Sequence, residues 1–239
     1  MRIWDLHPGY LDQYRLLAEH RGLHRVWNVL RDGKVGGSQN PEILRWQESP
    51  QGLQNRHNLL VQEMLLRGHN EASPLVGSFP GDRKEPKLLI NNAAEQFELL
   101  SNKYGTEFSG RIPLPKNLLE LWSQHKYSVL ARNPTFYQNI DNSLNQSGSP
   151  LSFNELADKL TRIMQETPTE GSRMDALLQL WGYVSEFSDM QVESFATEEE
   201  LYQEIQRLAI KNNVETLLHS TAISEVFFKP LGGFIDAWG

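Results

Sequence analysis

The sequence predicts an all-α chain built of two helical modules, residues 1–108 and 109–239. Three observations predict it. Apolar side chains recur at i, i+3, i+4 and i+7, as in Leu23, Val26, Trp27 and Leu30, the spacing that lines one face of a helix. Helix-start signals recur in Ser152-x-x-Glu155 and Thr197-x-x-Glu200, each ahead of a helical run. In such a box the two side chains satisfy backbone N–H groups that the helix itself leaves orphaned. Finally, no stretch alternates apolar and polar residues long enough for a half-buried strand.

Each element follows in order. The first helix carries the Leu23 to Leu30 stripe. The glycines of Asp32-Gly33-Lys34-Val35-Gly36-Gly37-Ser38 make a loop, and Pro41 opens a short helix. His57, Leu60, Val61 and Met64 repeat the helical stripe, so His57 reads as a core histidine. Glu71 to Pro86 is rich in Ser, Pro and Gly and reads as a long loop. A helix is expected from Leu88 to Lys103, and the modules join near 106–114. Beyond Pro115 the next stripe is Leu118, Leu121, Trp122 and His125, with His125 a second core histidine. Ser172-x-x-Asp175 is a weaker start signal ahead of Leu177, Leu178 and Trp181. The aromatic tail, Phe227, Phe228, Phe234 and Trp238, offers rings for stacking on bases or for packing on its own module.

Composition narrows the chemistry. There are no cysteines, which excludes disulfides, thiolate zinc sites, iron–sulfur clusters and thiol nucleophiles. No apolar run approaches the ~18 residues needed to span a bilayer. The start, Trp4-Asp5-Leu6-His7-Pro8, lacks the apolar core of a signal peptide. A cytoplasmic protein with no membrane partner is expected. The net charge of −7 argues against a DNA binder, but it is unevenly spread. Residues 1–82 hold nine basic and nine acidic residues, and the remainder carries the whole deficit. A neutral module binds phosphate if its arginines share a face. The acidic second module is a poor nucleic-acid surface and fits solvent or a protein partner better.

The most informative stretch is Met1 to Arg31. Arg2 follows the terminus at once, and so bulky a second residue is expected to leave Met1 in place. Further on stand Ala18, Glu19, His20, Arg21, Gly22, Leu23, His24 and Arg25. A second run reads Asn55-Arg56-His57-Asn58-Leu59-Leu60-Val61-Gln62-Glu63-Met64-Leu65-Leu66-Arg67-Gly68, with Ser73-Pro74-Leu75 after it. These runs resemble the pyrimidine-dimer DNA glycosylases of the phage endonuclease V type, over roughly residues 1–76. That resemblance implies an endonuclease V-like helical domain at the N-terminus. It implies a repair glycosylase and AP lyase acting on damaged double-stranded DNA, with no metal or organic cofactor. Residues 115–187, and less fully the helices to 228, resemble a helical bacterial domain of uncharacterised function. That match lies in Leu121 to Tyr127, Ala131 to Pro134, Tyr137, Thr167 to Arg173 and Leu178 to Tyr183.

The implied chemistry rests on an amine. An α-amine has an unperturbed pKa of about 7.7–8.0, so a usable fraction is neutral at pH 7. A neutral amine attacks C1′ of a deoxyribose and forms an imine, which opens a route to strand cleavage. Arg2 beside it favours the neutral form. Met1 is therefore the expected nucleophile. The resemblance places Arg2, Arg15, His20, Arg21, Gly22, Arg25 and Arg56 at the DNA. Arg21 and Arg25 share a helix face, and arginine's planar fork suits phosphate.

One departure cuts against activity. The family places its main catalytic carboxylate at the position of Gly22. Three outcomes are open: activity is lost, the lyase step survives at abasic sites where no base must be expelled, or Glu19, one turn earlier on the same face, substitutes in the catalytic role. The alternative for Glu19 is a structural pairing with a nearby arginine. His20 and His24 stand at the i, i+4 spacing of metal ligands, but the sequence offers no obvious third ligand and no metal is expected. The rival reading of the whole chain is an inactive helical adaptor.

Overall fold

The computed structural model describes residues 2–34, 39–69, 73–77, 79, 89–104, 109–146 and 151–227. Among these there are eleven α-helices and no strand. In order they are α1 (Gln13–Arg31), α2 (Pro41–Gln47), α3 (Pro50–Leu66), α4 (Ala93–Lys103), α5 (Leu118–Leu130), α6 (Pro134–Gln146), α7 (Phe153–Ile163), α8 (Glu170–Trp181), α9 (Glu198–Lys211), α10 (Glu215–Leu218) and α11 (Ala222–Glu225). The all-α expectation holds. No helix among the described residues is long and apolar enough to cross a membrane.

Helix starts follow side-chain chemistry. Asp12 caps α1 by accepting from the Arg15 N–H at 2.7 Å, and Pro41 stands at the start of α2. Helix α4 begins five residues later than the expected Leu88. Asn92 accepts from the Glu95 N–H, and Glu95 accepts in return from the Asn92 N–H. That reciprocal box fixes the start. Ser152 and Glu155 form the same box at α7. Thr197 caps α9, but Glu200 reaches back to the Ala196 N–H instead. Helix α8 starts at Glu170, so Ser172 lies inside it and caps nothing.

Two apolar clusters form the core. The first gathers Ile3, Trp4, Leu23, Trp27, Leu60 and Phe97, and runs on to Leu121, Ile140, Leu156 and Leu160. The second joins Leu177, Trp181, Leu201, Ile205, Leu217 and Ile223. Burial on this scale supplies most of the drive to fold, at about 25 cal/mol per Å² of apolar surface. The first cluster thus draws on helices from both sides of residue 108.

A buried ion network crosses the same point. Glu63 of α3 is fully buried and accepts from Arg67 Nε at 2.7 Å and from Arg111 Nε and Nη2 at 2.9 and 2.7 Å. Arg111 also donates to the carbonyls of Leu218 and Ser220. Burial opposes the charge on Glu63, yet Arg111 and Arg67 overcome it and hold its pKa at about 2. Gly110 lies against residues 9 and 10 so closely that a Cβ there would stand 2.4 Å from the Gly9 carbonyl oxygen.

Candidate functional site

The segment from Arg2 to Leu6 is neither helix nor strand, bends at Asp5 and Leu6, and has no strand beside it among the described residues. Its backbone N–H groups still need partners once buried. Side chains supply them. Ile3 N–H donates to Glu42 Oε1 at 3.0 Å, Trp4 N–H to Glu19 Oε1 at 3.1 Å, and Asp5 N–H to Gln96 Oε1 at 2.8 Å. Arg45 of α2 grips the Asp5 carboxylate with both terminal nitrogens. The Leu6 carbonyl accepts from Arg56 Nη1 at 2.6 Å. Ile3, Trp4 and Leu6 are buried. Helices α1, α2, α3 and α4 therefore each send a side chain to hold this segment.

Arg2 is treated differently. Its guanidinium lies 4.4 Å from the Trp4 ring centroid, a cation–π distance. Its Nε is buried and has no hydrogen-bond partner among the described residues. Burial lowers the Arg2 pKa, against the pull of Glu42 and Asp5. Met1, the expected nucleophile, lies outside the described residues.

Glu19 is 2% exposed, and both of its oxygens are engaged. Arg56 Nε donates to Oε1 at 2.7 Å and Nη2 to Oε2 at 3.0 Å, the bidentate geometry of a strong pair. Burial raises the Glu19 pKa, while Arg56 and the Trp4 N–H oppose the rise. The geometry thus realises the structural pairing that stood as the alternative for Glu19. Arg56 is buried too, and its donors point inward, to Glu19 and Leu6, rather than to open surface.

The other expected DNA residues divide. Arg21 and Arg25 are exposed on α1 and have no ion-pair partner among the described residues. Gly22 between them is buried. Arg15 is half-buried, paired with Asp12 and set 5.0 Å from the Tyr104 ring centroid. The structure therefore joins Arg2, Glu19 and Arg56 around the terminal segment, and leaves Arg21 and Arg25 facing solvent. Phe227 packs near Tyr202, at 6.1 Å between centroids, and Arg173. The rest of the aromatic tail is outside the described residues.

His20 is buried where α1 meets α3, with its ring 5.1 Å from that of His57 and near-parallel to it. His24 completes a trio. Its Nε2 lies 3.3 Å from His20 Nε2, and one ligating nitrogen from each of the three rings falls within 4.8 Å of the others. His57 Nε2 is 3.1 Å from the Ser73 carbonyl oxygen. Burial, then His57 and His24, lower the His20 pKa to about 4, and burial with His24 does the same to His57. His57 is the third nitrogen donor that the sequence reading lacked. Its only local signal was its place in an apolar stripe, which pointed to the core. His125 is a satisfied core histidine as expected, with Nδ1 2.9 Å from the Leu121 carbonyl oxygen. Asp5, Glu42, Arg45 and Gln96 were not anticipated, because each acts through a contact distant in sequence.

Residues 1–76 match the family model described as pyrimidine dimer DNA glycosylase. No curated protein and no solved structure matches the chain.

Proposed function

We propose that the N-terminal part of this chain acts on damaged duplex DNA as a glycosylase-type AP lyase, through the α-amine of Met1. The match of residues 1–76 to the pyrimidine dimer DNA glycosylase family supports a role of that kind. The observation that carries the reading is the buried grip on residues 2–6. Chain termini are usually loose unless something ties them down. Here four helices spend buried polar side chains on the first few residues. The residue that precedes this held segment is Met1, whose α-amine is the proposed nucleophile.

The step needs little else. The neutral amine adds to C1′ of the ring-opened sugar at an abasic site, water leaves, and an imine forms. Loss of the C2′ proton then expels the 3′ phosphate. Arg2 is half-buried with its guanidinium over the Trp4 ring, and Arg21 and Arg25 present exposed guanidinium groups, without an ion-pair partner among the described residues, to the DNA backbone. Reaching C1′ requires extrusion of a nucleotide, which costs a few kcal/mol and least at a damaged site.

Glu19 serves as a positioning residue in this scheme. It holds the Trp4 N–H and Arg56 together. Expulsion of an intact base wants a carboxylate near the sugar, and Gly22 supplies none. Abasic sites, where no base remains, are therefore the favoured substrate, and dimer cleavage is the weaker activity. The same absence favours the rival reading of an inactive adaptor.

The deciding experiment incubates the protein with duplex DNA bearing one abasic site and adds borohydride, which reduces an imine to a stable adduct. A parallel sample carries one extra residue before Met1. A covalent adduct that disappears with the extra residue establishes the amine chemistry. A folded protein that gives no adduct overturns it and leaves the adaptor reading.

A further inference from the structure

We propose that His20, His24 and His57 form a binding site for one divalent transition-metal ion of the zinc class, with the fourth position facing Ser73. The three rings lie against one another, with centroids 4.7, 5.1 and 5.1 Å apart. A tetrahedral zinc with Zn–N bonds of about 2.0–2.1 Å places its nitrogen ligands roughly 3.3–3.4 Å apart. His20 Nε2 and His24 Nε2 already stand at 3.3 Å. The remaining separations are at most 4.8 Å, so side-chain movement of about 1.5 Å closes the set onto that geometry.

The scaffold suits a ligand set. His20 and His24 come from successive turns of α1, and His57 from α3 opposite. The neighbouring Glu19–Arg56 pair fixes the register of the two helices. His57 Nε2 lies 3.1 Å from the Ser73 carbonyl oxygen, and Ser73 Oγ lies 3.4 Å from His24 Nε2. A metal ion would take one lone pair from each ring, with a Ser73 oxygen or a water beside exposed Ser73 as the fourth donor.

Protonation also favours the ligands. Metals bind neutral imidazole, so protons compete with the ion. Burial keeps His20 and His57 neutral down to about pH 4, and His24 is lowered as well. Imidazole nitrogen selects zinc, copper, nickel or iron over magnesium and calcium. A bound ion would clamp the 73–77 segment to α1 and α3, adding to the Trp27 indole N–H that donates to the Val76 carbonyl at 2.9 Å.

The test uses the full chain without an affinity tag, stripped with a chelator. Zn²⁺ alone is titrated by calorimetry, and Co²⁺ reports coordination through its visible spectrum. One ion per chain with micromolar or tighter affinity is expected, with the Co²⁺ bands of a tetrahedral nitrogen site. His24→Gln, at a half-buried position, should raise the Kd at least tenfold and abolish those bands. It should also remove the rise in Tm that Zn²⁺ gives the unaltered chain. His219→Gln, far along the chain, should change none of these. No stoichiometric binding to the folded chain would overturn the proposal, as would unchanged binding in His24→Gln. Neither result bears on the amine chemistry, because the borohydride test is run in the presence of chelator.

Discussion

Two adjacent rungs of the α1–α3 interface solve the burial of polar groups in opposite ways. Glu19 meets Arg56 as a charged, bidentate pair. One position further along both helices, His20 meets His57 as two imidazoles held neutral. The charged rung is closed: it is nearly solvent-free, accepts from the Trp4 N–H and donates to the Leu6 carbonyl of the terminal segment. The neutral rung is open, with His24 half-buried and Ser73 exposed beside it. A buried charge pair pays a large desolvation cost and repays it only through good geometry. A neutral cluster avoids that cost but keeps nitrogen lone pairs available. The first arrangement therefore fixes structure, and the second offers a ligand site.

The largest effect should come from breaking the charged rung. Arg56→Ala removes the counter-charge of Glu19 and the donor to Leu6 together. Loss of one partner from a buried pair costs about 3–5 kcal/mol, so the urea midpoint should fall sharply. Glu19→Gln should cost less on its own, because Gln keeps an oxygen for the Trp4 N–H. The two together should cost less than their sum, since the uncompensated charge is gone. Strict additivity in such a cycle would mean that the pair is not coupled, and the closed rung would lose its meaning.

Sequence made the helical class and several starts visible because they depend on neighbours in the chain. Ser152 finds Glu155 three residues away. Periodicity placed Leu23, Val26, Trp27 and Leu60 on buried faces, where they lie. The Asn92–Glu95 box is equally local and was legible in principle, and it would have corrected the start of α4. The site was less legible. Glu42 reaches Ile3 across 39 residues, and Gln96 reaches Asp5 across 91. Such contacts leave no local pattern, because packing and not chain distance brings them together. His57 shows a related limit: a stripe at helical spacing marks what is buried, but not which nitrogen it will meet there.

The neutral rung should respond to pH. An unfolded histidine titrates near 6.5, whereas His20 and His57 in the folded chain titrate at about 4. Between those values the unfolded state binds more protons, so stability falls as pH falls from 6.5 towards 4 and levels off below. His125, also held at about 4 by burial, and His7, which burial lowers well below the ordinary histidine value, act in the same direction. Denaturation curves across this range should show the loss. Replacing His20 and His57 by Gln should remove their share of the slope while leaving that of His7 and His125. An unchanged slope would place the protonation elsewhere. Metal bound to the rung should steepen the loss, since each ligand lost to a proton also releases the ion.

The smallest effect on folding should come from the solvent face of the same helix. Arg21 and Arg25 are exposed, so Arg21→Gln with Arg25→Gln should shift stability by no more than about 0.5 kcal/mol, as surface changes do. Their effect belongs to binding. Each phosphate neutralised contributes roughly 0.9 to the slope of log K against log salt on duplex DNA. Loss of two such contacts should therefore flatten that slope by about 1.8 for damaged duplex. A slope that does not move would separate this face from the DNA, even if the borohydride adduct forms. Phosphate contact would then fall to Arg2, the half-buried cation at the start of the held segment. Both rungs would in that case serve the terminus and the 73–77 segment, and the outer face of α1 would be left to solvent.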